Sequence, residues 1–246
     1  MLTLWYGVVG AAVGSFLNVC IDRWSSGGSI ASPPSHCPTC GHRLMGRDLI
    51  PILSYVWLGG RCRYCADSIP LRLPAVELGT GLVFALLWQR YEAVIALLLA
   101  SLYCCVLIVV SVIDLEQQVI PNRVIRPSIV FALAGALISP SLSLRESLIG
   151  GLVGFGFLFA VAFISPAGMG MGDVRLAAFI GLAVGFPAIV LALVVGIVGG
   201  GVVAALLLVT RVKGRRDPIP FGPFLALGAV VALLYGPQIL SWYTGL

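Results

Sequence analysis

Eight apolar runs, separated by short polar breaks, dominate this chain of 246 residues. Their cores lie near residues 2–21, 73–89, 93–113, 125–139, 146–165, 174–186, 187–209 and 220–236. A hydrocarbon core about 30 Å thick takes roughly 20 apolar residues as helix, so the fourth and sixth runs are short and their edges soft. Only 10% of the residues are charged and the mean hydropathy is +1.06, whereas a soluble domain carries about a quarter charged residues. Long repeated runs favour helices over a barrel, whose strands alternate every second residue. The expectation is an all-α polytopic membrane protein with about eight transmembrane helices. The first run has no basic segment before it and leads into a polar loop, so it reads as the first membrane helix and not as a cleaved signal.

The one long polar stretch, residues 23–72, lies between the first two helices and is too long for a tight loop. It holds Cys37-Pro-Thr-Cys40 and Cys62-Arg-Tyr-Cys65, two CxxC pairs with 21 residues between them. That spacing is close to a four-cysteine zinc pattern, and Gly41 suits the turn after the first pair. Four thiolates close the coordination shell, which makes a structural Zn2+ and not a hydrolytic one. In an oxidising compartment the same cysteines would form two disulfides. His36 and His42 read as loop residues, and Cys20, Cys104 and Cys105 as packing residues in apolar spans. The division expected is a first helix (1–22), a cysteine module (23–72) and a seven-helix membrane domain (73–246).

Basic residues orient the bundle. Alternating spans put Arg23, Arg43, Arg47, Arg61, Arg63, Arg72, Arg123, Arg126, Arg175, Arg211, Lys213, Arg215 and Arg216 on one side, against Arg90 and Arg145 on the other. The first side is therefore expected to be cytoplasmic, and with it the cysteine module. The same alternation brings Asp114 and Asp173 to that one boundary. Asp173 follows Gly168-Met169-Gly170-Met171-Gly172, whose alternate glycines forfeit backbone entropy in a helix and mark irregular backbone. Charges at such depth are costly unless used. Two facing carboxylates share a proton, and together they can activate water and protonate a leaving amide. The bland alternative makes Asp173 a helix cap and Asp114 a loop residue. Glu116 and Arg175 lie close by in sequence and could support the loop or substrate.

These stretches resemble the type IV prepilin leader peptidases, members of the Gly-x-Gly-Asp intramembrane aspartic proteases, over nearly the whole chain. Gly14-Ser15-Phe16-Leu17-Asn18-Val19 resembles the family's opening block, and Ile50-Pro51-Ile52-Leu53-Ser54-Tyr55 with Gly60-Arg61-Cys62 its loop. Arg72, Pro74, Val76 and Glu77 resemble the start of its second helix. Asp114-Leu115-Glu116 with Ile120-Pro121-Asn122 resembles the first catalytic motif, and Gly170-Met171-Gly172-Asp173 the second. Ile219-Pro220-Phe221-Gly222-Pro223 resembles a late motif. Arg175 stands where the family usually has Lys, and Asp48-Leu49 replaces an acidic–asparagine pair.

The resemblance implies that Asp114 and Asp173 are catalytic, with Gly170 and Gly172 giving an extended substrate access to them. It implies a bacterial inner-membrane enzyme of type IV pilus or type II secretion systems. Its partners would be prepilin or pseudopilin precursors, cut after a glycine behind a basic leader, with the lipid bilayer around it and no nucleic acid. It also implies N-methylation of the new terminus with S-adenosylmethionine, for which no residue can be named. Asp48, Asp67, Glu77 and Glu116 are the electrostatic candidates for meeting the leader. The competing class is an ion-coupled transporter using the paired aspartates; the inverted repeats it calls for are not visible.

Overall fold

The computed structural model describes residues 1–25, 28–29, 32, 34–165, 169–212, 214 and 217–245. Gly168, Lys213, Arg215 and Arg216, used above, lie outside them. The described residues are helical almost throughout, in two compact units, Met1–Glu92 and Ala93–Leu246. Five helices are long and apolar enough to cross a membrane by length and composition: Leu2–Trp24, Val94–Gln117, Leu144–Ile164, Ala188–Val209 and Gly222–Tyr243.

The first unit pairs α1 (Leu2–Ser25) with α3 (Arg72–Trp88). Between them come a 3-10 turn (Gly46–Asp48) and the short helix α2 (Leu53–Trp57). Glycines set how closely α1 and α3 approach: a Cβ on Gly10 would meet Phe84 Cβ at 2.6 Å, and one on Gly14 would meet Glu77 Cα at 2.8 Å. Small residues give such close contact where lipid supplies no hydrophobic drive. This packing is why the compact unit extends to Glu92, although polarity alone suggests a division near residue 72. The α3 helix belongs by contact with α1.

The second unit holds α4 (Val94–Gln117), α5 (Asn122–Ile138), α6 (Leu144–Ile164), α7 (Met171–Val184), α8 (Ala188–Val209) and α9 (Gly222–Thr244). The α7 helix is central and touches α5, α6, α8 and α9. Val174, Leu176, Ala177, Phe179 and Ile180 are all fully buried in it. Its 14 residues are short for a bilayer, which a helix walled in by protein tolerates. The α6 helix opens with a capping box, Ser143 Oγ accepting from Glu146 N–H and Glu146 Oε2 accepting from Ser143 N–H. Across the α6–α7 seam Ser147 Oγ donates to Leu182 O at 2.7 Å.

The glycines of α6 are packing residues, with one exception. A Cβ on Gly150 would lie 2.4 Å from Gly181 O, and one on Gly154 would lie 2.4 Å from Ala177 O, while Gly156 has open space around it. In α8, Gly196 and Gly200 lie against Leu225 and Phe224 of α9. Forcing a larger side chain into such a seam costs about 1–3 kcal/mol. Gly150→Val should therefore lower the thermal midpoint in detergent, whereas Gly156→Ala should stay within about 0.5 kcal/mol of wild type. Equal effects from the two would mean the seam does not hold α6 on α7.

Candidate functional site: a carboxylate pair and a four-cysteine cluster

Asp114 sits on the last turn of α4, only 5% exposed, between Ile113 and the helix end. The helix runs beyond Asp114 to Gln117 and stops where Gln118 turns left-handed at φ 55° and donates its N–H to Asp114 O. Asp114 is thus a buried helical residue and not a solvated loop residue. Its Oδ2 accepts the backbone N–H of Gly222 at 2.9 Å. Gly222 is the first residue of α9, so this N–H has no partner within its own helix. The positive end of α9 is aimed at the carboxylate.

Asp173 is the third residue of α7, half-buried, and the cap position is held by Gly170 in extended backbone. Its carboxylate accepts backbone N–H groups at the helix start, those of Gly170 and of Asp173 itself. It lies close enough to Asp114 for their charges to interact. Two glycines make room here. A Cβ on Gly172 would meet Ile120 Cβ at 2.9 Å, and one on Gly222 would meet Asp114 Oδ2 at 2.7 Å. Arg175, two residues on, donates from Nη1 to Asn122 Oδ1 at 2.5 Å and so ties the start of α7 to the start of α5. Gln118 Nε2 donates to Pro218 O, joining the loop after α4 to the segment before α9. Glu116 is exposed on the last turn of α4.

Sequence reasoning gave Gly222 no role. The signal was available: a glycine followed by proline at a helix start leaves a bare N–H beside open space. Its partner, however, is 108 residues away in the chain, and no local pattern reveals that.

The cysteine module is a second, independent site within the first unit. Cys37, Cys40, Cys62 and Cys65 present sulfurs all within 4.8 Å of one another, Cys37 Sγ to Cys65 Sγ being 3.8 Å. A tetrahedral ion with metal–sulfur bonds of about 2.3 Å spaces its sulfurs about 3.8 Å apart, so the donor set fits a metal of that size. The geometry comes from the same knuckle used twice. Gly41 N–H donates to Cys37 O and Ala66 N–H to Cys62 O, both at 2.9 Å. Each knuckle is closed by an isolated bridge, His36 with Arg43 and Arg61 with Ser68. All seven cysteines are free thiols. His42 stacks on Tyr64 at 3.6 Å, and His36 Nδ1 lies 3.0 Å from Pro34 O.

Most of the acidic residues proposed for the leader are engaged in the module itself. Asp48 takes Arg63 Nε at 2.7 Å, Tyr64 Oη at 3.0 Å and the Met45 N–H at 3.1 Å. Burial pushes its carboxyl up, but those bonds outweigh burial and hold it below the usual range. A depressed folded value stabilises above the unfolded pKa of about 4, and that stability is lost as pH falls through the folded value. The Thr39 hydroxyl, with the Ser68 backbone, likewise holds Asp67 low. Glu77, buried in α3, accepts the Ile52 N–H at 2.7 Å. Ile52 (φ 62°, ψ −49°) centres a γ-turn closed by Leu53 N–H to Pro51 O, a strained shape that persists only when its surroundings hold it. Asn18 Nδ2 donates to Leu73 O, and Arg72 pairs with Asp22 at 2.5 Å. Asn18, Arg72 and Glu77 are all anchors in this unit.

A helical membrane protein with a buried and a half-buried carboxylate near enough for their charges to interact, and with a four-cysteine module, defines a narrow class. Residues 101–205 match the Type IV leader peptidase family and residues 8–91 the Bacterial Peptidase A24 N-terminal domain. The chain is 36% identical to a prepilin leader peptidase/N-methyltransferase of Bacillus subtilis (strain 168), covering 96% of this chain and 95% of that one. It is 33% identical to a protein of the same description from Aeromonas salmonicida (strain A449), over 86% and 74% of the two chains. Another from Burkholderia pseudomallei (strain 1026b) is 33% identical over 93% and 84%. No solved structure matches. This chain belongs to the prepilin leader peptidase family.

The two knuckles differ at one place that chemistry can test. Gly41 and Ala66 hold equivalent positions with φ of 67° and 60°, and a left-handed residue with a Cβ costs roughly 1–2 kcal/mol. Ala66→Gly should raise the module's resistance to a chelator by about 1 kcal/mol, and Gly41→Ala should lower it. Titrating metal loss against chelator measures both, and identical midpoints would remove the strain from the account.

Proposed function

We infer that the chain is an intramembrane aspartic endopeptidase that removes the basic leader from type IV prepilin-like precursors and methylates the new N-terminal amine. The observation that carries the catalytic assignment is the burial of Asp114 against Gly222 N–H with Asp173 beside it. One carboxylate takes a proton from water as its oxygen attacks the scissile carbonyl; the other, protonated, hydrogen-bonds that carbonyl and later returns a proton to the leaving amine. Coupled in this way the two titrate as a pair. Gly170, exposed and in extended backbone just before α7, suits the approach of a substrate strand, while Gly172 makes room for Ile120. Arg175, through Asn122, holds the loop that carries Ile120 against Gly172.

All eight long helices, α1 and α3 to α9, are assigned as spans. The excess of basic residues on one set of loops favours a cytoplasmic cysteine module and active site in a bacterial inner membrane. A reducing compartment also keeps four thiols available, and Zn2+ suits a closed four-sulfur shell as a structural ion. The relatives' name gives an N-methyltransferase, for which S-adenosylmethionine is the donor we assign; substrates of pilus or type II secretion systems rest on the resemblance of the sequence motifs. The comparisons lend nothing to a transporter.

Cleavage of a model prepilin by wild type, Asp114→Asn and Asp173→Asn, each checked for folding and metal content, tests the assignment. Both folded variants should lose at least roughly 10³-fold in rate, and near wild-type cutting by either would end the dyad reading. Gly222→Ala should cost about 10²-fold in kcat, because its Cβ displaces a carboxylate whose placement within about 1 Å matters.

A further inference from the structure

The cysteine module carries an apolar stripe on its outside. On α2, Leu53, Val56 and Trp57 stand at i, i+3 and i+4, one face of the helix, and they are 65%, 70% and 87% exposed. Leu49 and Ile50, just before it in the chain, are exposed apolar residues as well, at 40% and 44%. The opposite face is the packed one: Tyr55 lies against Gly60, where an added Cβ would come 2.9 Å from its hydroxyl. A soluble module would turn these residues the other way, since a contiguous exposed apolar face marks an interaction surface.

We propose that this stripe is seated in the headgroup–acyl boundary of the bilayer, making the metal module a membrane-surface element. Continuity argues for lipid. The Ile52 N–H at the head of α2 is bonded to Glu77 Oε2, on the second turn of α3, whose own outward residues Leu78 and Leu82 are 52% and 57% exposed apolar surface. The bond pins the start of α2 to the first turns of α3, a helix assigned above as a span. Charge agrees. Arg47, on the 3-10 turn packed against α2, and Arg61, four residues past Trp57, are both exposed, placing cations at each end of the stripe as anionic headgroups require. The strained γ-turn at Ile52 then has a purpose, since it directs α2 along the surface. A precursor whose helix leaves the bilayer there meets a surface already occupied by the module.

The test uses the full-length, metal-loaded protein, one copy per lipid nanodisc of phosphatidylethanolamine and phosphatidylglycerol. Fluorescence of wild type minus that of Trp57→Phe isolates Trp57. With lipids brominated near the headgroup end of the acyl chain, its emission should be blue-shifted and quenched at least about twofold, as an indole in the interface is. Val56→Glu, with metal content unchanged, should abolish that quenching. Water-like, unquenched emission overturns the proposal. So does shielding that appears only in discs with two copies, which would assign the stripe to a second chain. Shielding seen only after adding a model prepilin would assign it to substrate and overturn it as well.

Discussion

The hydrogen bond from Gly222 to Asp114 is the constraint around which the second unit is arranged. A carboxylate 5% exposed in a helix among lipid is tolerable only if a polar group meets it, because an unmet one costs several kcal/mol. The bundle meets it with a backbone N–H that α9 cannot use itself. That choice forces a glycine at 222, since any Cβ would occupy the place of Oδ2. It also fixes α9 against α4. The close approach of α7 to α6, where Gly181 meets Gly150, is a separate requirement set by the packing of those two helices.

The two carboxylates are held differently, and the difference is useful to a peptidase. Asp114 is fixed by a bond to a different helix. Asp173 is half-buried at the start of α7, where its carboxylate meets backbone N–H groups of its own helix end. Preorganisation of this kind avoids reorganising the site as charge develops. The Arg175–Asn122 bond serves the same end by closing the loop that presses Ile120 on Gly172.

Much of this was legible in the sequence, and what was not has a common cause. Hydropathy locates the long helices because lipid demands runs of apolar residues, and CxxC spacing locates the four-sulfur cluster because the knuckle is local. Helix ends were less legible: Asp114 looks terminal by polarity, yet α4 continues to Gln117, since the chain stays helical through polar residues until Gln118 turns left-handed. Partners distant in the chain were not legible at all. Glu77 looked available for a basic leader and is committed to Ile52; Asp48 looked available too and is bonded to Arg63, Tyr64 and the Met45 N–H.

Those commitments bear on how a basic leader is recognised. Three of the four acidic residues that could attract it, Asp48, Asp67 and Glu77, are already satisfied by donors of the first unit, and a carboxylate so engaged offers little further attraction to a mobile cation at the surface. Glu116 stands exposed on the turn of α4 that carries Asp114, two residues from it, so proximity to the carboxylate pair, and not any lack of bonding partners, is what keeps it the candidate for a leader's charge.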